Sequence, residues 1–320
     1  MTVESIRTIG VKQQGKSHIT YDTPCQDNVS TLSKNEIYTI ALADGAGSRN
    51  LSHFGSEIVT RMTCEILTNN FYEIVTMLEK KGLSEEDYLA NLEETRKKII
   101  NTIKKPLEEK ASQLESELGD LASTLLFASK HNDLYIVGHI GDGVIGGLYK
   151  TLKGYEVKVL SHPENGEKSN ITFFLTGNDA VEHFRIKAFK DPLLLGIVLM
   201  SDGPETVFYQ KNKFVDNTVR LFTNYSGKSQ SKYEKQLQKL LSETISQYSD
   251  DDLSIAVMNH ETVEIKSLDY EYKRELLGPI YSKDQIIKTS FQSVFIKPFI
   301  IPKKRDFSDI ESVSRYINEI

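Results

Sequence analysis

The chain has 320 residues, 39% hydrophobic and 26% charged, with a formal net charge of −6. That balance fits a soluble globular protein and offers no basic excess for nucleic acid. No run of 18 apolar residues could span a membrane, and two cysteines, Cys25 and Cys64, can build neither a disulfide framework nor a four-ligand zinc site.

The opening "MTVESIRTIG" lacks the basic-then-apolar layout of a secretion signal, so a cytoplasmic location is expected. Residues 5–12, 27–32 and 36–43 read as short strands, with Val, Ile, Thr and Tyr in partial alternation. Over 54–79, Ile58, Val59, Met62, Ile66 and Leu67 recur at helical spacing. Residues 84–118, rich in Glu, Lys and Leu, predict a second helical region with a break near Pro106. Strands come next in "STLLFAS", "DLYIVGHI", "VIGGLYKT", "YEVKVLS", "ITFFLT", "FRIKAF" and "LLLGIVLMS", separated by turn-like stretches such as "KHND" and "HPENGEKSN". Short helices are expected within 204–222, a longer one over 229–247, and a last strand at 253–258. Strands, then helices, then many strands describe an α+β domain with extensive antiparallel sheet. We expect this domain to occupy 1–260. The extension 261–320 holds a helical "DYEYKRELL", an extended "SVFIKPFIIP" and a closing helix "SDIESVSRYINEI" capped by Ser308. "GDGVIG" at 141–146 has glycine spacing for a dinucleotide, but the segment "VIGGLYKTL" reads as a strand where that fold needs a helix.

The chemistry-bearing pattern is repeated Asp-Gly at strand ends. "IALADG" ends in Asp44, "YIVGHIGDG" in Asp142 and "LGIVLMSDG" in Asp202. Each pair alone is a turn signal. In addition, Asp27 opens one strand, and Asp251 and Asp252 open another. Strand ends of one sheet meet at a common edge, and carboxylates gathered there repel unless protonated or bound to cations. Oxygen-only donors suit Mg2+ or Mn2+. A glycine after the Asp allows close backbone approach.

At these positions the sequence resembles the metal-dependent type 2C serine/threonine protein phosphatases, bacterial branch. The resemblance runs in order through "GKSHITYDTPCQDNV", "ALADGAGS", "ASTLLFA", "VGHIGDGVIGGLY", "VLMSDGPE" and "DDLSIAVM", covering roughly residues 5–259. It implies two stacked antiparallel β-sheets flanked by helices, with metal ions at one end. By motif, Asp44 would bridge two Mg2+ or Mn2+ ions and the Gly45 carbonyl would bind one of them. Asp202 and Asp251 would complete the first metal site, making Asp44, Asp202 and Asp251 the catalytic set. Asp27 would act through ordered water, and Asp142 with Asp202 would hold a third ion. The ions would share a water that attacks phosphorus in line. The implied substrate is a phosphorylated protein, with a cognate Ser/Thr kinase as counterpart, and no nucleic acid or membrane partner.

The sequence departs from that pattern in three places. Ala46 stands where many members carry a His proposed as general acid, which leaves His53 and His18 as candidate substitutes. Gln26 replaces an acidic residue before Asp27. No Arg precedes that pair to bind phosphate, so Lys16 and Arg49 are the candidate replacements. Cys25, beside the pair, reads as a packing residue rather than a nucleophile. Two further readings stay open: a pseudophosphatase or phosphoprotein-binding module, and a small-molecule phosphohydrolase.

Overall fold

The computed structural model describes residues 2–164, 172–264 and 267–277. Two five-stranded sheets face each other. The first runs β1 (Thr2–Gln13), β12 (Leu253–Glu264), β9 (Leu194–Met200), β6 (Val144–Thr151), β7 (Gly154–Ser161). The second runs β2 (Asn28–Lys34), β3 (Ile37–Ala43), β4 (Leu125–His131), β5 (Leu134–Ile140), β8 (Arg185–Lys190). All neighbours in both are antiparallel. A two-residue hairpin, β10 (Tyr209–Gln210) with β11 (Lys213–Phe214), stands apart. The expected sandwich is therefore the observed one.

Side-chain alternation explains why the apolar runs are nearly unbroken. Along β3, Ile40 and Leu42 point between the sheets, against Ile197, Leu199 and Met258. Ala41 and Ala43 point the other way, into a layer with Val59, Leu67 and Phe71 of α2 (Ser52–Leu78) and Ile99, Ile103 and Leu107 of α3 (Glu85–Gln113). On the first sheet, Val198, Met200, Ile255 and Val257 meet Tyr233, Leu237 and Leu241 of α7 (Gln230–Glu243). A central strand with helices on one face and a sheet on the other has no solvated face, so its pattern is apolar throughout. Short helices fill the connections: α1 (Lys16–Thr20), α4 (Ala180–His183), α5 (Asp202–Phe208) and α6 (Arg220–Thr223).

Three expectations change. The second helix is not broken at Pro106, which lies inside α3. A helix-interior proline costs about 3 kcal/mol. Ile99, Ile100, Ile103, Leu107 and Ala111 bury one face of that helix, and each large one stabilises by roughly 1.5–3 kcal/mol, so packing wins. "ITFFLT" is not a strand over its described residues 172–176, which form one bridge and then a turn. The Leu175 amide donates to Ser123 O (3.0 Å), so the segment crosses the end of the sandwich instead of joining a sheet. The final strand runs past 258 to Glu264, because every residue from 253 to 264 has a partner on β1; the expected boundary at 260 thus falls inside it. "SVFIKPFIIP" and "SDIESVSRYINEI" lie outside the described residues.

Beyond β12, α8 (Tyr270–Leu277) forms where "DYEYKRELL" predicts a helix. It packs onto the body. The Asp269 and Glu275 carboxylates accept from the Ser229 and Gln230 amides (3.3 and 3.1 Å), finishing the N-terminus of α7, where negative charge is favoured. Arg7 is the buried centre of this region. It pairs with Glu261 (2.7 Å), donates to the carbonyls of Tyr225 and Lys228, and lies between the rings of Tyr233 and Tyr272 (4.9 and 5.0 Å). Arg7→Ala would strand the Glu261 carboxylate at 7% exposure. We expect a loss of about 3–5 kcal/mol in urea unfolding, and a smaller loss for Arg7→Met combined with Glu261→Gln. Equal losses in both proteins would show that burial of charge is not the cause.

Candidate active site

The sheet registers bring the acidic segments to one end. In the first sheet, Gln13 pairs with Leu253, and Met200 pairs with both Ile255 and Val144. In the second, Asn28 pairs with Ala43, Leu42 with Leu126, and Leu125 with Ile140. Asp27, Asp44, Asp142, Asp202 and Asp251 each lie one or two residues beyond those positions, so all five reach the same rim of the sandwich.

Local bonds fix them. The Asp44 amide donates to Thr124 Oγ1 (2.9 Å) and the Thr124 amide returns a bond to the Asp44 carbonyl (2.8 Å). This is the work of "AST": it pins the end of β3 to the start of β4. Gly45 must be glycine, since a Cβ there would stand 2.8 Å from both Gln26 O and Ser52 Oγ. Gly203 is pressed against β12 in the same way, 2.3 Å from Asp252 O. The second member of each of these Asp-Gly pairs is thus set by close approach, as the sequence pattern anticipates. Asp27 is 1% exposed, and its Oδ2 accepts from Ser201 Oγ (2.8 Å), tying β2 to the end of β9. Thr172 Oγ1 donates to Asp142 Oδ2. Asp251 is exposed and lies at the outer lip.

Electrostatically the five form one group. Burial, then the charges of Asp27, Asp202 and Asp142, push the Asp44 carboxyl well above the ordinary carboxylate range. Burial, then Asp251, Asp142 and Asp27, raise Asp202 to about 7. Burial raises Asp27 to about 6, against a lowering from the Ser254 hydroxyl. Oδ1 of Asp27 is buried without a hydrogen-bond partner among the described residues. Mutual repulsion, oxygen-only donors and one orphaned buried oxygen fit a hard divalent cation. Among the described residues, no three His, Cys, Asp or Glu side chains are gathered tightly enough to enclose an ion as they stand.

Both phosphate-binding candidates stand on segments next to this group: the Arg49 carbonyl accepts from the Gln26 side chain (2.9 Å), and Lys16 follows Gly15, whose amide donates to Asp252 (2.7 Å). Arg49 reaches Asp120 (3.3 Å), and Lys16 is exposed at the first residue of α1. Of the histidines, His18 contacts Asp252 (2.9 Å between Nδ1 and Oδ1), while His53 Nδ1 is buried without a partner among the described residues. Cys25 is held as a thiol: burial first, then Asp252 and Asp27, push it far upward.

The sequence profile of protein phosphatase 2C matches residues 14–242. The chain belongs to the protein phosphatase 2C family. Solved structures of that family share its fold. A serine-threonine phosphatase 2C from Toxoplasma gondii is 11% identical, with a TM-score of 0.54 over 82% of this chain and 99% of that one. The serine/threonine phosphatase Stp1 from Staphylococcus aureus is 14% identical, with a TM-score of 0.53 over 80% and 96%. The S. agalactiae serine/threonine phosphatase is 16% identical, with a TM-score of 0.50 over 80% and 100%. No curated protein sequence matches the chain. At such identities the likeness to the solved structures is one of fold.

One residue of this phosphatase 2C rim escapes sequence reasoning, and a second is seen there only as a strand-opening carboxylate. Glu205, three residues after Asp202 on α5, is raised to about 7 by burial and by Asp142. Its spacing, one helical turn from Asp202 in "SDGPE", is the signal that could have found it. Asp252 is 2% exposed and accepts main-chain bonds from a distant loop. Its sequence neighbours carry no sign of that.

Proposed function

We propose that the protein is a metal-dependent phosphoprotein (Ser/Thr) phosphatase. The observation that carries this is the convergence of Asp27, Asp44, Asp142, Asp202 and Asp251 on one rim, with Asp27, Asp44 and Asp202 raised in pKa and Asp27 Oδ1 unpartnered among the described residues. In this reading Asp44 and the Gly45 carbonyl would hold cations together with Asp202 and Asp251, Asp142 with Asp202 would hold a further one, and Asp27 would support the site through water. Mg2+ or Mn2+ bound there supplies a lowered pKa for attacking water and neutralises phosphoryl charge.

The chain's own residues set the geometry. Thr124 locks Asp44, Ser201 locks Asp27, and Thr172 holds Asp142. Burial keeps Cys25 protonated and so removes it as a thiolate nucleophile; in this reading water, not a side chain, attacks phosphorus. The substrate is a phosphorylated protein with a cognate kinase elsewhere in a cytoplasmic setting. A rim of five carboxylates and a net charge of −6 argue against nucleic acid.

The test is hydrolysis of p-nitrophenyl phosphate and of phosphoserine and phosphothreonine peptides, with Mn2+ or with EDTA, by wild type and Asp202→Asn. We expect Mn2+-dependent turnover that EDTA removes and Asp202→Asn lacks. Full turnover in excess chelator would end the metal-dependent reading. Peptide binding without turnover would favour a phosphoprotein-binding module, and turnover of nucleotides alone a small-molecule hydrolase.

A further inference from the structure

Asp252 lies at the start of β12, next to Asp251, and is almost wholly buried. Its two oxygens collect three main-chain donors from the loop that precedes β2. Oδ1 accepts from the Gly15 amide (2.7 Å), and Oδ2 accepts from the Gln26 amide (2.5 Å) and the Asp27 amide (3.4 Å). His18, on α1 in the same loop, sets Nδ1 2.9 Å from Oδ1. The contact is reinforced by the neighbouring residues, where the Ser17 amide and hydroxyl both donate to Asp250 O (3.0 and 2.7 Å). Gly15 fits only as glycine, since a Cβ would stand 2.4 Å from the Asp251 carbonyl carbon. Helix α1 buries no residue of its own, so these polar bonds rather than a core face hold it in place.

The loop held this way carries Asp27 at one end, and the segment doing the holding, just before β12, carries Asp251. The two are more than 220 residues apart in sequence, and they belong to opposite sheets of the sandwich. We propose that Asp252 is a positioning residue for the cation site: it clasps the 14–27 loop to β12 and thereby fixes Asp27 relative to Asp251 and Asp202. This rests on the reading of the acidic rim as a cation site. The physical reason is the number of donors collected. Removing the carboxylate would orphan up to three buried amides. The loop would relax toward water to satisfy them, and Asp27 would move with it. An asparagine could still accept at its one carbonyl oxygen from Gln26 and Asp27, while its amide group would lose the bond from Gly15.

The experiment is titration calorimetry of Mn2+ into the metal-free full-length chain, as wild type, Asp252→Ala and Asp252→Asn, with p-nitrophenyl phosphate kinetics across Mn2+ concentration. A loss near 1.4 kcal/mol of positioning corresponds to about tenfold in Kd. We expect Asp252→Ala to raise the Mn2+ Kd and the Mn2+ concentration for half-activation about tenfold or more, with kcat at saturating Mn2+ within about threefold of wild type. Asp252→Asn should recover part of the affinity. A purely structural role would lower Tm and leave the Mn2+ half-activation point unmoved, which would overturn the proposal. Should Asp252→Ala fail to fold, Asp252→Asn decides: a rise of about two- to fivefold supports the clasp, and wild-type affinity refutes it. Wild type that neither binds Mn2+ nor turns over would instead refute the phosphatase reading, and the clasp's role in cation binding with it.

Discussion

Asp44→Ala is expected to abolish Mn2+-dependent hydrolysis of p-nitrophenyl phosphate, by at least about 10³-fold, equivalent to some 4 kcal/mol of lost transition-state stabilisation. The residue stands in the field of Asp27, Asp202 and Asp142 together, so on the proposed reading its loss would disturb every cation position at once. Its main-chain bonds with Thr124 do not involve its side chain and should survive. The variant should therefore fold, with the circular dichroism of the wild type. Asp142→Ala is the contrast. It removes a carboxylate held by Thr172 at one side of the group, and it should weaken one cation position while keeping most turnover. Near wild-type rates for Asp44→Ala, or identical losses for the two variants, would show that the assignment of roles is wrong.

The second large effect is on stability without metal. Asp202 sits at about 7 and Asp27 at about 6 in the folded chain, and Asp44 is also raised. An unfolded aspartate titrates near 3.9. Between roughly pH 4 and 7 the folded chain thus binds more protons than the unfolded one, so this group lowers stability as pH rises through that window. The penalty is absent below the unfolded value and complete above the folded values. Asp202→Asn should raise the stability of the metal-free protein at pH 8 by about 1–3 kcal/mol, some 2–10 °C in Tm, and change it little at pH 4.5. The difference between variant and wild type is the quantity to measure. His139, buried and held well below its ordinary value by burial and by Arg185, adds an opposite pH dependence that cancels in the difference. A gain at pH 4.5 as large as at pH 8 would mean that charge repulsion is not its source.

Strand-end carboxylates are legible because a fully apolar run that stops at Asp has few structural readings, and because the repetition across "ALADG", "GDG" and "MSDG" ties distant segments to one edge. Burial on both faces of β3 and β9 makes such runs conspicuous. The hidden features depend on contacts that sequence distance conceals. Pro106 looks like a helix stop, and only the apolar face of α3 overrides it. "NHETVE" in β12 has too little alternation to read as a strand, yet β1 supplies a partner for each residue. Asp252 is the clearest case. A carboxylate that accepts from backbone amides needs no particular residue type opposite it, so nothing in the partner loop marks the bond.

The pairing of β1 with β12 carries a consequence for the order of synthesis. β1 is completed by a strand that begins about 240 residues after β1 ends. Its inner edge has no cross-strand partner through most of translation, and the closing contact carries the loop-closure entropy of nearly the whole domain. Asp251 and Asp252 arrive with that same late strand. The nascent chain can therefore assemble its second sheet and helical layer early, while its acidic rim lacks a side until the ending of the domain has emerged. On the proposed reading, a chain cut short before Asp251 and β12 would lack the Asp251 carboxylate, the Asp252 bonds and an interior strand of the first sheet together.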